Sequence, residues 1–249
     1  MKITIVRHGD PDYETDSLTP KGKEQAELLA EVLSKRHFDE IFLSPLGRAQ
    51  ETAAPYIYKD NRKALTLSWL QEAPWVWDRD PSWTKNPLCY DPEKWMDAPE
   101  MGVSPENKAI YQDIESSFYA FLEERGYTRE GAYFKTDGSK NERSVLFICH
   151  LGLGSFLLSR LIHVSPALMW QNFFMPTSSI ATAQTEEAIP GKAIWRIREF
   201  GALPHTESRP DLHSEKGAFR ESALSEGRFE RLENKDKKDY WNKFFERAK

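Results

Sequence analysis

Three short apolar runs in this 249-residue sequence end on groups that can handle a phosphoryl anion. Ile3 to Val6 leads into Arg7-His8-Gly9, and Ser144 to Cys149 leads into His150. Ile41 to Leu43 leads into Ser44-Pro45-Leu46-Gly47-Arg48. A guanidinium stays charged at any working pH and grips oxyanions bidentately. A neutral imidazole can attack phosphorus as a nucleophile. Each residue alone has a duller reading. Arg7 could sit in a surface ion pair, His150 in a satisfied core position, and Arg48 on a solvated helix. Yet all of them stand at strand ends, where an open parallel sheet binds its ligands.

The elements that must position these groups are legible in the pattern. Residues 2–6 read as a buried strand, followed by a polar turn from Asp10 to Asp16. Thr19 is a candidate N-cap with Pro20 at the first helical position, and Ala26, Leu29, Ala30 and Leu33 give that helix an apolar face to about Arg36. Ile41 to Leu43 is a second strand, Gly47 to about Ala54 a second helix, and Leu65 to Leu67 a third strand. Ser144 to Cys149 is a central strand with a helix after it to about Ile162. Ile180 to Gln184 and Ala193 to Arg198 close the pattern as two strands that can pair as a hairpin. The expected fold is α/β, a three-layer α/β/α sandwich on a mostly parallel sheet.

Two stretches interrupt that rhythm. Residues 73–143 read as an inserted lid subregion within a single domain spanning residues 1–249. Between Pro74 and Pro99 lie Trp75, Trp77, Trp83 and Trp95 among five prolines, which suits a compact loop and no regular element. A helix follows from about Glu106 to Arg125 on Ile110, Ile114, Phe118 and Phe121, then a polar loop from Thr136 to Arg143. Residues 201–249 form a charged C-terminal extension. Tyr240, Trp241, Phe244 and Phe245 share one face of a final helix there, which packs on the body or on a partner subunit, so a homodimer stays open.

Composition excludes several classes. The balance of 34 basic against 39 acidic residues gives a formal charge of -5, with none of the basic excess of a nucleic-acid binder. No apolar segment reaches membrane-spanning length, and the start lacks the long apolar region of a secretion signal. Two cysteines, Cys89 and Cys149, allow neither a disulfide framework nor a CxxC metal site. Cytoplasmic residence is the expectation, with Cys149 a small buried hydrophobe. A cysteine phosphatase needs arginine six places after its thiolate, where Cys149 has Ser155. A P-loop needs Ser or Thr after Gly-Lys, and Gly22-Lys23 is followed by Glu24. No G-x-S-x-G elbow is present.

Arg7-His8-Gly9 after an N-terminal strand resembles the signature of the histidine phosphatase superfamily, the phosphoglycerate-mutase-like proteins. Four further blocks follow in the same order: Leu18-Thr19-x-x-Gly22-x-x-Gln25-Ala26, Ser44-Pro45-Leu46-x-Arg48-Ala49-x-x-Thr52-Ala53, Leu70-x-Glu72, and a strand ending at His150. The likeness covers residues 3–72 well and 144–185 more loosely. It implies that His8 becomes a transient phosphohistidine and that water then hydrolyses it. Arg7, Arg48 and His150 would hold the phosphoryl oxygens, with Leu151 beside them in substrate binding. Glu72 would protonate the leaving oxygen and later help deprotonate water. No metal or cofactor is implied, since fixed cations do that work, and the partner is a small-molecule phosphate ester. Thr19 and Thr52 are read as capping or packing residues.

Three departures bear on function. The loop from Gly9 to Leu18 is short, where the mutases carry a longer stretch with a phosphate-touching asparagine. Asp10 replaces the usual glutamate or glutamine, and Leu151 stands where many members have glycine. The first favours phosphatase over a mutase, which would return the phosphoryl group to its substrate. A non-catalytic phospho-ligand binding protein is the third reading, disfavoured because all five groups are present. The tryptophan-rich stretch either roofs the site, favouring an organic and partly apolar alcohol with Arg79 or Lys85 for an extra anionic group, or packs its own underside.

Overall fold

The computed structural model describes residues 1–59, 61–74 and 85–217. β1 (Lys2–Arg7) opens the chain, and β2 (Pro11–Asp12) pairs with β3 (Ser17–Leu18) as a two-stranded ribbon in the turn that follows. α1 (Pro20–Leu33) begins where expected: the Thr19 side chain accepts from the amide of Gly22, and Pro20 fills the first turn. β4 (Glu40–Leu43), α2 (Gly47–Lys59) and the two-residue β5 (Leu65–Thr66) complete the first half. α2 runs past Pro55 and does not stop near Ala54. Tyr56 is fully buried edge-on to Phe38, so packing outweighs the missing amide.

α3 (Pro105–Glu123) is followed by β6 (Thr128–Glu130) and β7 (Tyr133–Lys135), a hairpin absent from the sequence reading. Then come β8 (Ser144–Cys149), α4 (Leu151–Ile162) and α5 (Pro166–Asn172), the last also unread in the sequence and capped by Ser165. β9 (Ile180–Ile189) and β10 (Lys192–Ala202) form the expected antiparallel hairpin, longer than its apolar residues suggested.

The eight-stranded sheet runs β5-β4-β8-β1-β9-β10-β7-β6. β5, β4, β8 and β1 are mutually parallel, and the remaining strands extend the sheet antiparallel. Alternation along each parallel strand divides the core between two faces. Ile3 and Ile5, Phe42, and Val145, Phe147 and Cys149 join one core, packed under α3, α4 and α5. Val6, Ile41, Leu43, Leu146 and Ile148 join the other, under α1 and α2. Both faces being covered explains why β8 is buried at all six positions.

The described part of residues 73–143 contributes to this body. Short 3-10 turns between Pro87 and Met101 bury Cys89, Trp95 and Met101, α3 covers the sheet, and β7 pairs with β10. Trp95 stacks edge-on against Tyr111 and Trp170 inside the core. Trp75, Trp77, Arg79 and Trp83 lie outside the described residues, as does the proposed final helix with Tyr240, Trp241, Phe244 and Phe245. Among the described residues, no helix is long and apolar enough to cross a membrane.

Candidate active site

Register alone brings the two histidines together. β1 and β8 are parallel neighbours with Arg7 opposite Cys149, and the His8 amide donates to the Cys149 carbonyl. His8 and His150 therefore leave adjacent strands side by side, with ring centroids 5.2 Å apart. β4 flanks β8 on its other side, so Ser44 follows on the same rim. Arg48 sits one residue into α2 and its Nε donates to His8 Nε2 at 3.2 Å. Arg7, His8, Arg48 and His150 are each at most 2% exposed.

His8 Nδ1 lies 2.7 Å from the Gly9 carbonyl oxygen. A carbonyl can only accept, so Nδ1 carries the proton and Nε2 keeps its lone pair, the atom that Arg48 Nε–H addresses. Burial, first, and then the charges of Arg48 and Arg7 hold the His8 pKa well below the ordinary imidazole value, with Lys216 adding to the effect and the Gly9 contact opposing it. His150 is likewise kept neutral, by burial and then by Arg48. Its Nε2 meets the Ser44 hydroxyl at 2.7 Å, and that hydroxyl also accepts from the Leu46 amide. We assign the hydroxyl proton to Nε2, which places the imidazole proton on Nδ1. Nδ1 is buried without a hydrogen-bond partner, a donor left for a ligand oxygen.

The loop after β1 is held by close backbone packing. Gly22 of α1 faces Asp10, and a Cβ there would come within 2.2 Å of the Asp10 carbonyl oxygen. Thr52 Oγ1 accepts from the Gly9 amide and donates to the Arg48 carbonyl, tying the histidine's loop to the helix that carries Arg48. Thr52 therefore positions the site as well as packing. Gln25 Oε1 accepts from the Asp10 amide.

Glu72 reaches the site from after β5. Its Oε1 accepts from the amides of Leu153 and Ala73, and its Oε2 from that of Gly152 at a longer 3.3 Å. The carboxylate thus caps the open N-terminus of α4, for which His150 makes no side-chain cap. Burial raises the Glu72 pKa against the pull of the Leu153 amide and the charge of Arg48. A carboxyl biased toward its neutral form, with Oε2 lightly engaged, is equipped to give up a proton. Leu151 is half-buried at the first turn of α4.

Three residues of this site, and one at its edge, had no role in the sequence reading. Asp16, at φ +50°, caps Gly47 and pairs with Arg48 Nη1. Ser44 holds His150. The Tyr13 ring faces the Arg48 guanidinium at 5.5 Å from the β2–β3 turn. Lys216 arrives from the C-terminal extension. Lys85, offered for an anionic group, is exposed.

Comparison with known proteins shows the family and the fold. The model of the histidine phosphatase superfamily (branch 1) matches residues 3–190, and the chain belongs to that family. A probable phosphatase from Schizosaccharomyces pombe is 36% identical over 66 residues, 23% of this chain and 32% of the relative. Phosphoserine phosphatase 1 from Hydrogenobacter thermophilus is 37% identical over 62 residues, 21% of this chain and 29% of the relative. The matched stretch thus spans about a third of the length of these curated relatives. Among solved structures, a phosphoserine phosphatase mutant from Entamoeba histolytica in complex with phosphoserine superimposes with a TM-score of 0.56 at 17% identity, covering 82% of this chain and 98% of that one. That likeness shows a shared fold.

Proposed function

We propose that this protein is a metal-independent phosphomonoesterase that hydrolyses small organic phosphate esters through a phosphohistidine on His8. The observation that carries the reading is the aim of one imidazole: Nδ1 is pinned to the Gly9 carbonyl while Nε2, uncharged, faces Arg48. In the first step Nε2 forms a bond to phosphorus as the ester P–O bond breaks. The leaving oxygen takes its proton from Glu72. In the second step water attacks phosphorus, Glu72 recovers a proton from it, and the N–P bond breaks to release inorganic phosphate.

Arg7, Arg48 and His150 surround the charge that spreads over the phosphoryl oxygens in a loose transition state. They are fixed before substrate arrives, so little reorganisation is required at the moment of reaction. Tyr13, whose ring lies 5.5 Å from the Arg48 guanidinium, and Phe174, 6.0 Å from that of Arg7, are aromatic candidates for contact with the alcohol portion of the ester. The names of the matching relatives make phosphoserine the first physiological ester to try.

The test is hydrolysis of p-nitrophenyl phosphate and phosphoserine by wild type and His8→Ala. Phosphate release that vanishes with His8 supports the reading, and equal rates overturn it. Incubation with 3-phosphoglycerate, with and without a bisphosphate primer, decides against the mutase: release of free phosphate without isomerisation is expected.

A further inference from the structure

Residues 203–217, which follow β10, return across the rim of the catalytic pocket. Gln25 Nε2 donates to the Leu212 carbonyl at 2.6 Å. The Ser214 hydroxyl donates to Asp10 Oδ1. The Lys216 ammonium donates to Asp10 Oδ2 at 3.0 Å and to the Pro11 carbonyl. The Lys216 carbonyl in turn accepts from Arg7 Nη2 at 2.8 Å. Gly217 follows at φ +88°, where a Cβ would stand 3.3 Å from Arg7 Nη2 and 3.1 Å from Leu151 Cδ2. A glycine is what lets the chain pass so near the guanidinium.

Asp10 is the centre of this contact. It is 5% exposed, and its carboxylate receives the Thr19 hydroxyl as well as Ser214 and Lys216. Arg7 is held by the carbonyls of Met175 on Nη1 and Lys216 on Nη2, with Tyr13 as a further side-chain contact, while its buried Nε has no hydrogen-bond partner. A planar guanidinium gripped at both Nη atoms cannot rotate. Release of one grip restores freedom that a bound phosphate must then remove.

We propose that Asp10 is a positioning residue: through Lys216 it latches residues 203–217 onto the phosphate pocket, and the latched strap fixes Arg7 and so sets the affinity for the phosphate group. This rests on the reading of Arg7 as a phosphate ligand. It gives a role to the residue at which the signature loop departs from its family pattern, and to a segment beyond the matched residues 3–190.

The experiment measures inorganic phosphate binding by calorimetry, and KM and kcat for p-nitrophenyl phosphate, in wild type, Asp10→Asn, Lys216→Met and the double variant. Lys216 is partly exposed at the surface, so Lys216→Met folds, which a thermal melt verifies. Each single variant is expected to weaken phosphate binding and raise KM about three- to tenfold, within the range of coupling between contacting residues. The value of kcat is expected to stay within about twofold, the double variant to be no worse than either single one, and Lys216→Arg to restore most of the loss. Unchanged or tighter phosphate binding in Lys216→Met, or additive losses in the double variant, overturns the latch. An inactive wild type whose phosphate binding still weakens in Asp10→Asn keeps the latch and removes the hydrolase reading. An active wild type indifferent to Lys216→Met removes the latch alone.

Discussion

At the scale of single residues the site separates two buried acid–base groups by opposite shifts. The His8 pKa is held well below the ordinary imidazole value and that of Glu72 above the ordinary carboxyl value, both chiefly by burial. The pairing suits a nucleophile and a general acid that work at the same pH. Glu72→Gln is therefore expected to lower kcat/KM, which reports the transfer to His8 and not the later hydrolysis, by about 10²- to 10⁴-fold for phosphoserine, whose alkoxide needs a proton. The loss for p-nitrophenyl phosphate is expected to be much smaller, because that leaving group departs unprotonated. Equal losses on both esters would remove Glu72 as the acid. Steady-state kinetics on the two substrates decides.

The histidine shifts also make a prediction about stability. His8 and His150 are depressed when folded, whereas the unfolded chain takes up protons on them below about pH 6.5. The unfolded state then binds more protons, so stability rises with pH across that window and falls as pH drops. Denaturant unfolding at pH 7 and pH 5 should show the loss, and His150→Asn should reduce it. A pH dependence untouched by that change would contradict burial in the neutral form.

At the scale of elements, α4 organises the acid. Gly152 lies so close to Glu72 that a Cβ would stand 2.9 Å from Oε1. Gly152→Ala should gain helix propensity, worth about 1 kcal/mol, while displacing a flexible carboxylate. Thermal stability is expected to hold within about 1 kcal/mol, the gained propensity offset by the disturbed cap, and kcat to fall about tenfold or more, since a misplacement near 1 Å can cost about 10²-fold. A variant that loses stability and keeps its kcat would mean that Glu72 does not act from this seat. The melt and the rate are read on the same preparation. β1, β8 and β4 supply the rest of the geometry, because their parallel register sets Arg7, His8, His150 and Ser44 along one edge.

At the scale of the whole molecule, the two cores fix what the site residues stand on. Trp95 is 1% exposed and packs on Tyr111, Trp170 and Phe156. Trp95→Ala should cost about 3 to 5 kcal/mol of unfolding free energy and leave kcat of the folded enzyme nearly unchanged. A large change in KM for aryl esters with intact stability would move that indole to the site.

The parallel strands and the residues at their ends were legible because buried strands are short apolar runs punctuated by the polar group they deliver. His8, Arg7, Arg48 and His150 could be found that way. The β6–β7 hairpin and α5 were not, since Thr128 to Lys135 holds only two three-residue strands and Pro166 to Asn172 spans only about two turns. Asp16, Ser44, Tyr13 and Lys216 act through contacts between distant segments, which spacing along the chain does not encode.

The proposed hydrolysis passes through a covalent bond between phosphorus and His8 Nε2. Rapid mixing with a radiolabelled phosphomonoester, an alkaline quench that preserves N–P bonds, and peptide mapping should place label on the peptide carrying His8, and none on the His8→Ala protein. Steady release of phosphate with that peptide unlabelled, or with label on another residue, would contradict it.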